Sequence, residues 1–599
     1  MKRLLFSAMA LLLVFTGVLG GCSSDEDTAP SSPESEFPDQ SVEAVSSDAV
    51  SSEYASSVTD ETVGEPSDEA SREDSDVESS IEPSESSDEA SAEGSDDVSD
   101  ESSDDVSDES SDDVSEAPPV DDTKPQISLN KTEFEVGETI AVSYKNTDSK
   151  DWVGIYPEGN DPGPIPSITW QYSVGEGKLA FSVSSLKGPG VYWIFLCDND
   201  GYDILDTKVI TVLDNDTTDY GAKSASVSAS VTDGYSKISV TVTPGYNDRL
   251  TYKFYWSKGK TRLSGYDPIC TKINAGTKDF TVDFNDCLYM PDEADGIEVA
   301  VAKGRSKSVF VSAPKSLKAP KSKLLYKFAV FTDLHITSSK AHHVTHLKAA
   351  LNDVKELGGY SAIFTTGDNT DTGSSAEWDL LLKTVNSVEG IPDIYYALGN
   401  HDMVYGSGHA YQVNLFKQKT GMPDQYYSVE LNGIRHIVLG SDIATTAGGI
   451  NKPQLDWLRS ELSKCDKSKP TFIFLHQPLK ETVSGTLYSK NNVIQDWFGV
   501  TNAEKDIRAM LKEFPNAILF TGHTHWSLES MQPILVGHGD DATFVNCASV
   551  GYLWDDTDKE TAGSQGYFVE VYEDYILLRG REFVKGNWCG AAQFLIPRT

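Results

Sequence analysis

Seven residues in the C-terminal half of the chain have metal-ligating side chains and lie in short polar clusters: Asp333, His335, Asp368, Asn400, His476, His523 and His525. The clusters read Asp333-Leu334-His335, Gly367-Asp368-Asn369-Thr370-Asp371, Gly399-Asn400-His401-Asp402, the single His476, and Gly522-His523-Thr524-His525. Mixed imidazole and carboxylate donors suit Zn, Fe or Mn rather than Ca or Mg. One carboxylate shared by two ions, with three further ligands on each side, accounts for all seven. Two such ions, roughly 3.5 Å apart, clamp a phosphate between attacking and leaving oxygens. The chain has 11 histidines and none precedes His335, so a histidine-rich metal site can only lie in this region.

The elements around the clusters explain how they converge. Leu325–Phe331, Ala362–Thr365, Ile394–Ala397, His436–Leu439, Thr471–Leu475 and Ala517–Phe520 read as buried strands. His343–Leu357, Ala376–Val388, Pro453–Leu462 and Asn502–Phe514 read as helices between them. Alternating strand and helix predicts an α/β layered domain over residues 323–599. Five of these strands end in one of the polar clusters, which places all five clusters at one edge of the sheets, where ligands bind in open α/β folds. The glycines ahead of the ligands predict sharp turns there. After Ala542 the pattern is strand-only, with Gly566–Tyr572 and Tyr575–Arg579 joined by Glu573-Asp574.

The five clusters, in this order, resemble the calcineurin-like metallophosphoesterase superfamily, whose pattern D-x-H, G-D-x-x-D, G-N-H-D/E, H and G-H-x-H is met at every fixed position. The resemblance implies a layered αββα sandwich and a phosphoester hydrolase with two transition-metal ions (Mn, Fe or Zn). It places Asp333, His335 and His525 on the first metal and Asn400, His476 and His523 on the second, with Asp368 bridging. A hydroxide between the ions is then the nucleophile for in-line attack at phosphorus. His401 stabilises the phosphate and protonates the leaving group, Asp371 orients His401, and Asp402 is an outer, structural partner. The purple acid phosphatases have a metal-binding tyrosine where Asp371 stands, which sets this chain apart from them. Of the remaining histidines, His342, His343, His346, His436 and His538 are expected at the surface or satisfied in the core. His409 and Tyr405 are candidates for substrate contact.

Upstream, alternating apolar and polar residues predict two all-β sandwich units, at 121–214 and at 215–322. The second resembles a fibronectin- or immunoglobulin-like domain in pattern. Trp152, Tyr156, Trp170 and Tyr172 in the first unit are expected to pack in its core or between domains, with a ligand site as the alternative. Cys270 and Cys287 in the second are candidates for a disulfide.

The chain of 599 residues opens with Met1-Lys2-Arg3, an apolar run to Gly20, and Leu19-Gly20-Gly21-Cys22. This predicts a signal peptide over 1–22 that resembles a bacterial lipobox, with Cys22 lipidated and anchored in the membrane. Residues 23–120 hold 34 acidic residues against Arg72 alone, and their composition predicts a disordered, extended stalk. The whole chain has a net charge of −44, of which the part from Asp121 onward holds only −13. That balance argues against a nucleic-acid partner. The expected partners are a phosphorylated substrate, the membrane through Cys22, and the cell wall through the sandwiches; the expected place is outside the cytoplasmic membrane. Two rival functions are a surface adhesin using a non-catalytic phosphoesterase scaffold, and a dinuclear-metal amide or ester hydrolase.

Overall fold

The computed structural model describes residues 123–598 except 159, 161, 164, 405–407, 443, 444, 446, 447 and 488–502. The expected signal peptide, Cys22, the acidic stalk and Tyr405 lie outside the described residues.

The C-terminal domain is built from two six-stranded sheets. In the first, Leu324–Phe331 pairs parallel to Ala362–Thr365, which pairs parallel to Ile394–Tyr395. On its other side, Leu324–Phe331 pairs antiparallel to Gln565–Tyr572, and the sheet continues through Tyr575–Glu582 to Asn587–Pro597. In the second, Ile434–Val438, Thr471–Phe474, Ala517–Thr521 and Thr543–Asn546 run parallel, with Tyr427–Leu431 and Ile534–Leu535 antiparallel at the two edges.

Alternation along the strands sorts their side chains into layers. Phe328, Val330 and Phe364 of the first sheet meet Val438, Phe472, Phe474 and Phe520 of the second in one buried cluster. On the outer face of the first sheet, Ala329, Phe331 and Ile363 pack against Leu347, Leu351, Trp378 and Phe416 from the helices Ala341–Leu357, Ser375–Asn386 and His409–Thr420. On the outer face of the second, Ile437, Ile473 and Leu519 pack on Leu458, Leu462, Ile507 and Met510 from the helices Lys452–Ser463 and Glu504–Leu511. The order is helix, sheet, sheet, helix, as the resemblance implies.

Several elements differ from the sequence reading. The helix His409–Thr420 and the strand Tyr427–Leu431 were not anticipated, because neither has a strong apolar period. Ile394–Tyr395 is shorter than expected, and the backbone leaves the ladder before Ala397. The last strand, Asn587–Pro597, is also new, and its second edge is covered. Trp588 N–H donates to the Gly265 carbonyl (2.8 Å), Tyr289 N–H to that of Gln593 (3.0 Å), and Leu595 N–H to that of Cys287 (2.9 Å). An open edge strand would be a template for intermolecular pairing; here the upstream β-unit caps it.

That unit has a three-stranded sheet (Ser224–Thr232, Tyr235–Thr243, Phe280–Asp283) packed on a five-stranded one around Arg249–Lys258 and Gly296–Val301. Cys270 and Cys287 do not pair; both are free thiols. The preceding strands, between Gln126 and Val212, also form a three- and a five-stranded sheet with a shared core of Ile140, Val142, Val153, Ile155 and Ile194. Among the described residues no helix is long and apolar enough to cross a membrane.

Candidate metal centre

The parallel strands of both sheets deliver their C-terminal ends to one edge, and the seven expected ligands gather there. All seven are buried, none more than 7% exposed. Six of the seven fall into two groups, Asp333, His335 and His525 in one and Asp368, His476 and His523 in the other, and His335 also groups with Asp371 and His401. In the first group His335 Nε2 and His525 Nε2 are 3.2 Å apart. In the second His476 Nε2 and His523 Nδ1 are 3.2 Å apart. Asp368 Oδ2 lies 3.0 Å from His476 Nε2 and 3.7 Å from His335 Nε2, so one carboxylate oxygen faces both groups.

The turns at the strand ends are made differently from expectation. Asp333, His335, Asp368, His523 and His525 all have positive φ, between 44° and 70°. This left-handed backbone is unfavourable for residues other than glycine and persists only where the surroundings enforce it. The ligands themselves make most of the sharp turns, and of the glycines at 367, 399 and 522 only Gly367, ahead of Asp368, has positive φ (119°). Gly522 serves another purpose: a Cβ there would lie 1.9 Å from Thr332 Oγ1 and 2.3 Å from Asp333 Oδ2. Likewise a Cβ on Gly399 would lie 2.1 Å from Asp368 Oδ1. These two glycines let neighbouring loops touch.

Hydrogen bonds lock each carboxylate by one oxygen and leave the other facing the imidazoles. Asp333 Oδ2 accepts from Thr332 Oγ1 (2.6 Å) and His523 N–H (2.9 Å). Its Oδ1 accepts no hydrogen bond and lies 2.9, 3.8 and 3.9 Å from Nε2 of His525, His335 and His476. Asp368 Oδ1 accepts from His401 N–H at 2.8 Å. Asp402 is buried and accepts from Gly399 N–H, from both nitrogens of Asn369, and from the backbone and hydroxyl of Thr370, knitting two ligand loops together. Burial and the nearby Asp368 push its pKa up.

One role differs from the reading. The Asp371 carboxylate does not hold His401. It pairs with His335 Nδ1 at 3.3 Å and with Lys340 Nζ at 3.5 Å, while the Asp371 carbonyl accepts from His401 Nδ1 at 2.7 Å. Asn400 is anchored by Gln477, whose Nε2 donates to Asn400 Oδ1 at 3.0 Å and whose Oε1 accepts from Ser441 Oγ at 2.9 Å. Gln477 adjoins His476 in the chain, and that adjacency was the only signal that could have found it. Tyr552 was also missed. Its ring lies 4.3 Å from that of His525 and 5.4 Å from that of His335, with Lys340 Nζ 5.4 Å from its centroid. It follows no strand, so no spacing marks it.

The other histidines are largely structural. His343 Nδ1 donates to the His335 carbonyl, and His346 Nδ1 meets those of Val550 and Gly551. His409 is exposed and sits 3.8 Å from Asp442.

Electrostatically the site is one that attracts positive charge. Burial works against protonating His335, yet Asp333, Asp371 and Asp368 outweigh it and lift its pKa to about 10. Burial likewise opposes charge on His476, but Asp368 and Asp333 raise it. His523, buried and beside His476, is pushed down to about 3, and burial also lowers His525. The Asp371 carboxyl, held by His335 and Lys340, falls to about 2. Imidazole nitrogens opposed at hydrogen-bond distance, a carboxylate oxygen with no donor, and a second carboxylate facing both groups together fit a pair of cations.

Fold and site together define a dinuclear-metal phosphoesterase domain, and the comparisons agree. Residues 326–527 match the calcineurin-like phosphoesterase family, and the C-terminal domain belongs to it. Members of that family use a dinuclear metal centre, and the chain is a metal-dependent phosphoester hydrolase. Over 249 residues the chain is 28% identical to a protein named "Probable cyclic nucleotide phosphodiesterase" from Rhodococcus erythropolis, covering 39% of this chain and 74% of that protein. Among solved structures it is similar to vacuolar protein sorting 29 from Cryptosporidium parvum, at 11% identity, covering 46% of this chain and 98% of that one, with a TM-score of 0.24. It is also similar to the teleost fish polymeric Ig receptor ectodomain, at 9% identity, covering 31% and 96%, with a TM-score of 0.12.

Proposed function

We propose that the chain hydrolyses a phosphodiester outside the cytoplasmic membrane, anchored there by a lipid on Cys22. The observation that carries the catalytic reading is Asp368 Oδ2, which stands between two imidazole–carboxylate groups. Preference for a diester is supported by the name of the Rhodococcus relative. The address is supported by Met1-Lys2-Arg3, the apolar run and Leu19-Gly20-Gly21-Cys22, with the acidic segment as a stalk.

Asp333, His335 and His525 would hold one ion, Asn400, His476 and His523 the other, and Asp368 both. Two Mn, Fe or Zn ions so held supply a nucleophile at neutral pH and polarise phosphoryl oxygens. The chain's own residues do the rest. Asp371 fixes the orientation of His335 through Nδ1, and Gln477 fixes the Asn400 amide. A backbone carbonyl can only accept, so His401 Nδ1 carries the proton it shares with Asp371. A doubly protonated His401 would then carry its second proton on Nε2, the atom that meets the phosphate, and would pass that proton to the leaving oxygen as the P–O bond breaks, leaving a neutral ring protonated at Nδ1. His401 N–H also holds Asp368 Oδ1, so this residue tracks the shared carboxylate.

The test is hydrolysis of bis-p-nitrophenyl phosphate against p-nitrophenyl phosphate with added Mn, alongside metal analysis. The diester should turn over faster. Bound metal without activity on either substrate would favour amide or ester hydrolysis, and a protein that takes up no metal would favour the adhesin scaffold. Loss of fatty-acid labelling in Cys22→Ser tests the anchor; labelling that persists would refute it.

A further inference from the structure

The first β-unit has a second apolar surface, opposite its core, that catalysis does not use. Along Trp152–Pro157, Val153 and Ile155 face the sandwich interior, while Trp152 and Tyr156 face outward with Trp193 and Phe195 of the neighbouring strand. Val584 of the C-terminal domain covers one part of this outer face. The other part is open. There Trp152, Tyr156, Trp170, Tyr172, Tyr202 and Asp200 line a cavity of about 320 Å³. Trp170, Tyr172 and Tyr202 are 50%, 48% and 41% exposed.

The rings are arranged as walls. Trp152 stands at 77° to Trp170 and 85° to Tyr202, and Trp170 at 88° to Tyr172, with centroids 5.1 to 6.1 Å apart. Two are fixed by their polar edges: Trp152 Nε1 donates to the Gly201 carbonyl (2.9 Å), and Tyr172 Oη to Asp200 Oδ1 (2.6 Å). Gly154 lies between Trp152 and Tyr156 on their strand and pairs with Trp170 across the strands. A Cβ there would lie 2.6 Å from the Trp152 ring and 3.0 Å from that of Tyr156. The surrounding loops are acidic. Asp148, Asp151, Asp198, Asp200 and Asp203 cluster there against Lys150 on Asp200 and Lys348 on Asp203.

We propose that this cavity is an aromatic cage for a quaternary ammonium group of the choline type. Ring faces attract cations through their quadrupoles, and mutually perpendicular rings enclose a compact trimethylammonium from several sides. Surplus carboxylates add long-range attraction that a neutral guest would not feel. A sugar, by contrast, stacks on one flat exposed face, which rings set at right angles do not offer together. The cage is independent of the phosphoesterase reading and stands or falls separately.

Calorimetric titration of the full chain with choline and with tetramethylammonium tests it. Saturable binding is expected, at least about tenfold tighter than for the neutral isostere 3,3-dimethylbutan-1-ol. Trp170→Ala should weaken binding about tenfold or more, and Gly154→Ala, whose Cβ presses on the Trp152 and Tyr156 rings, should displace those walls and do the same. Turnover of bis-p-nitrophenyl phosphate should be unchanged in Trp170→Ala, which confirms that this exposed substitution leaves the protein folded. Co-sedimentation with phosphatidylcholine vesicles separates the sources. Choline binding with vesicle binding assigns a lipid headgroup, and choline binding without it assigns a soluble or polymer-borne choline; both support the cage. No saturable heat, equal affinity for the neutral isostere, or undiminished binding by Trp170→Ala would overturn it.

Discussion

Two buried regions of the C-terminal domain each contain histidine, and they treat it in opposite ways. At the strand ends, imidazoles of His335, His476, His523 and His525 crowd against Asp333 and Asp368, all but His476 on left-handed backbone. Between the sheets, one imidazole, His436, stacks at 6° on Phe364 and lies 5.0 Å from Phe472, in relaxed strand geometry. The first arrangement concentrates charge and strain; the second tolerates a polar ring only because both nitrogens are satisfied. His436 Nδ1 meets the Ile434 carbonyl at 3.1 Å and Nε2 the Tyr326 hydroxyl at 3.2 Å. The lesson is that burial alone does not mark function here. Convergence of lone pairs on one point does, and the core secures that convergence by holding the strands in register.

The comparison breaks most directly at Asp368. Asp368→Ala removes the oxygen common to both groups, and we expect loss of bound metal together with a fall in turnover of about 10³-fold or more, roughly 4 kcal/mol. Metal analysis and diester turnover on the same sample check this; full metal content in the variant would refute the bridging role. His401→Ala separates binding from chemistry. It should retain metal and lose about 10²- to 10⁴-fold in turnover, as removal of a general acid does. Equal loss of metal would instead make His401 part of the holding set.

A smaller effect distinguishes what was legible in the sequence from what was not. The ligand positions were legible because each follows a strand and because glycine, aspartate and histidine recur at fixed offsets. The layered fold was legible from the alternation of apolar strands with amphipathic helices. What the Asp371 carboxylate touches was not, since His335 and His401 are both within its reach and spacing cannot choose between them. The same holds for Gln477 and Tyr552, whose roles arise from loops meeting across sheets, and for the last strand, whose edge is covered by another unit. Asp371→Asn keeps the carbonyl that positions His401 and removes the charge on His335. We expect metal affinity to fall about 10- to 100-fold, the usual effect of losing a carboxylate behind a ligating histidine. Unchanged metal affinity with a displaced pH profile of turnover would return Asp371 to His401.

The smallest effect tests the core side of the comparison. Burial pushes the His436 pKa down to about 3, with the Ile434 carbonyl only partly opposing it. The unfolded chain binds a proton at this residue below about pH 6.5, whereas the folded one does not. Stability from a neutral His436 is therefore fully present above pH 6.5 and is lost as pH falls from there toward 3. At pH 5 the loss should be about 2 kcal/mol, from the 1.5 pH units below the unfolded pKa. His436→Phe preserves the stacked ring and abolishes the linkage, at the expense of the partner for Tyr326. That lost hydrogen bond shifts the variant by a constant amount at every pH. The diagnostic is accordingly the slope: denaturant unfolding at pH 8 and pH 5 should show the wild type losing about 2 kcal/mol more than the variant over that interval. Equal losses would mean that His436 is protonated in the folded state, with a polar group or water reaching it between the sheets.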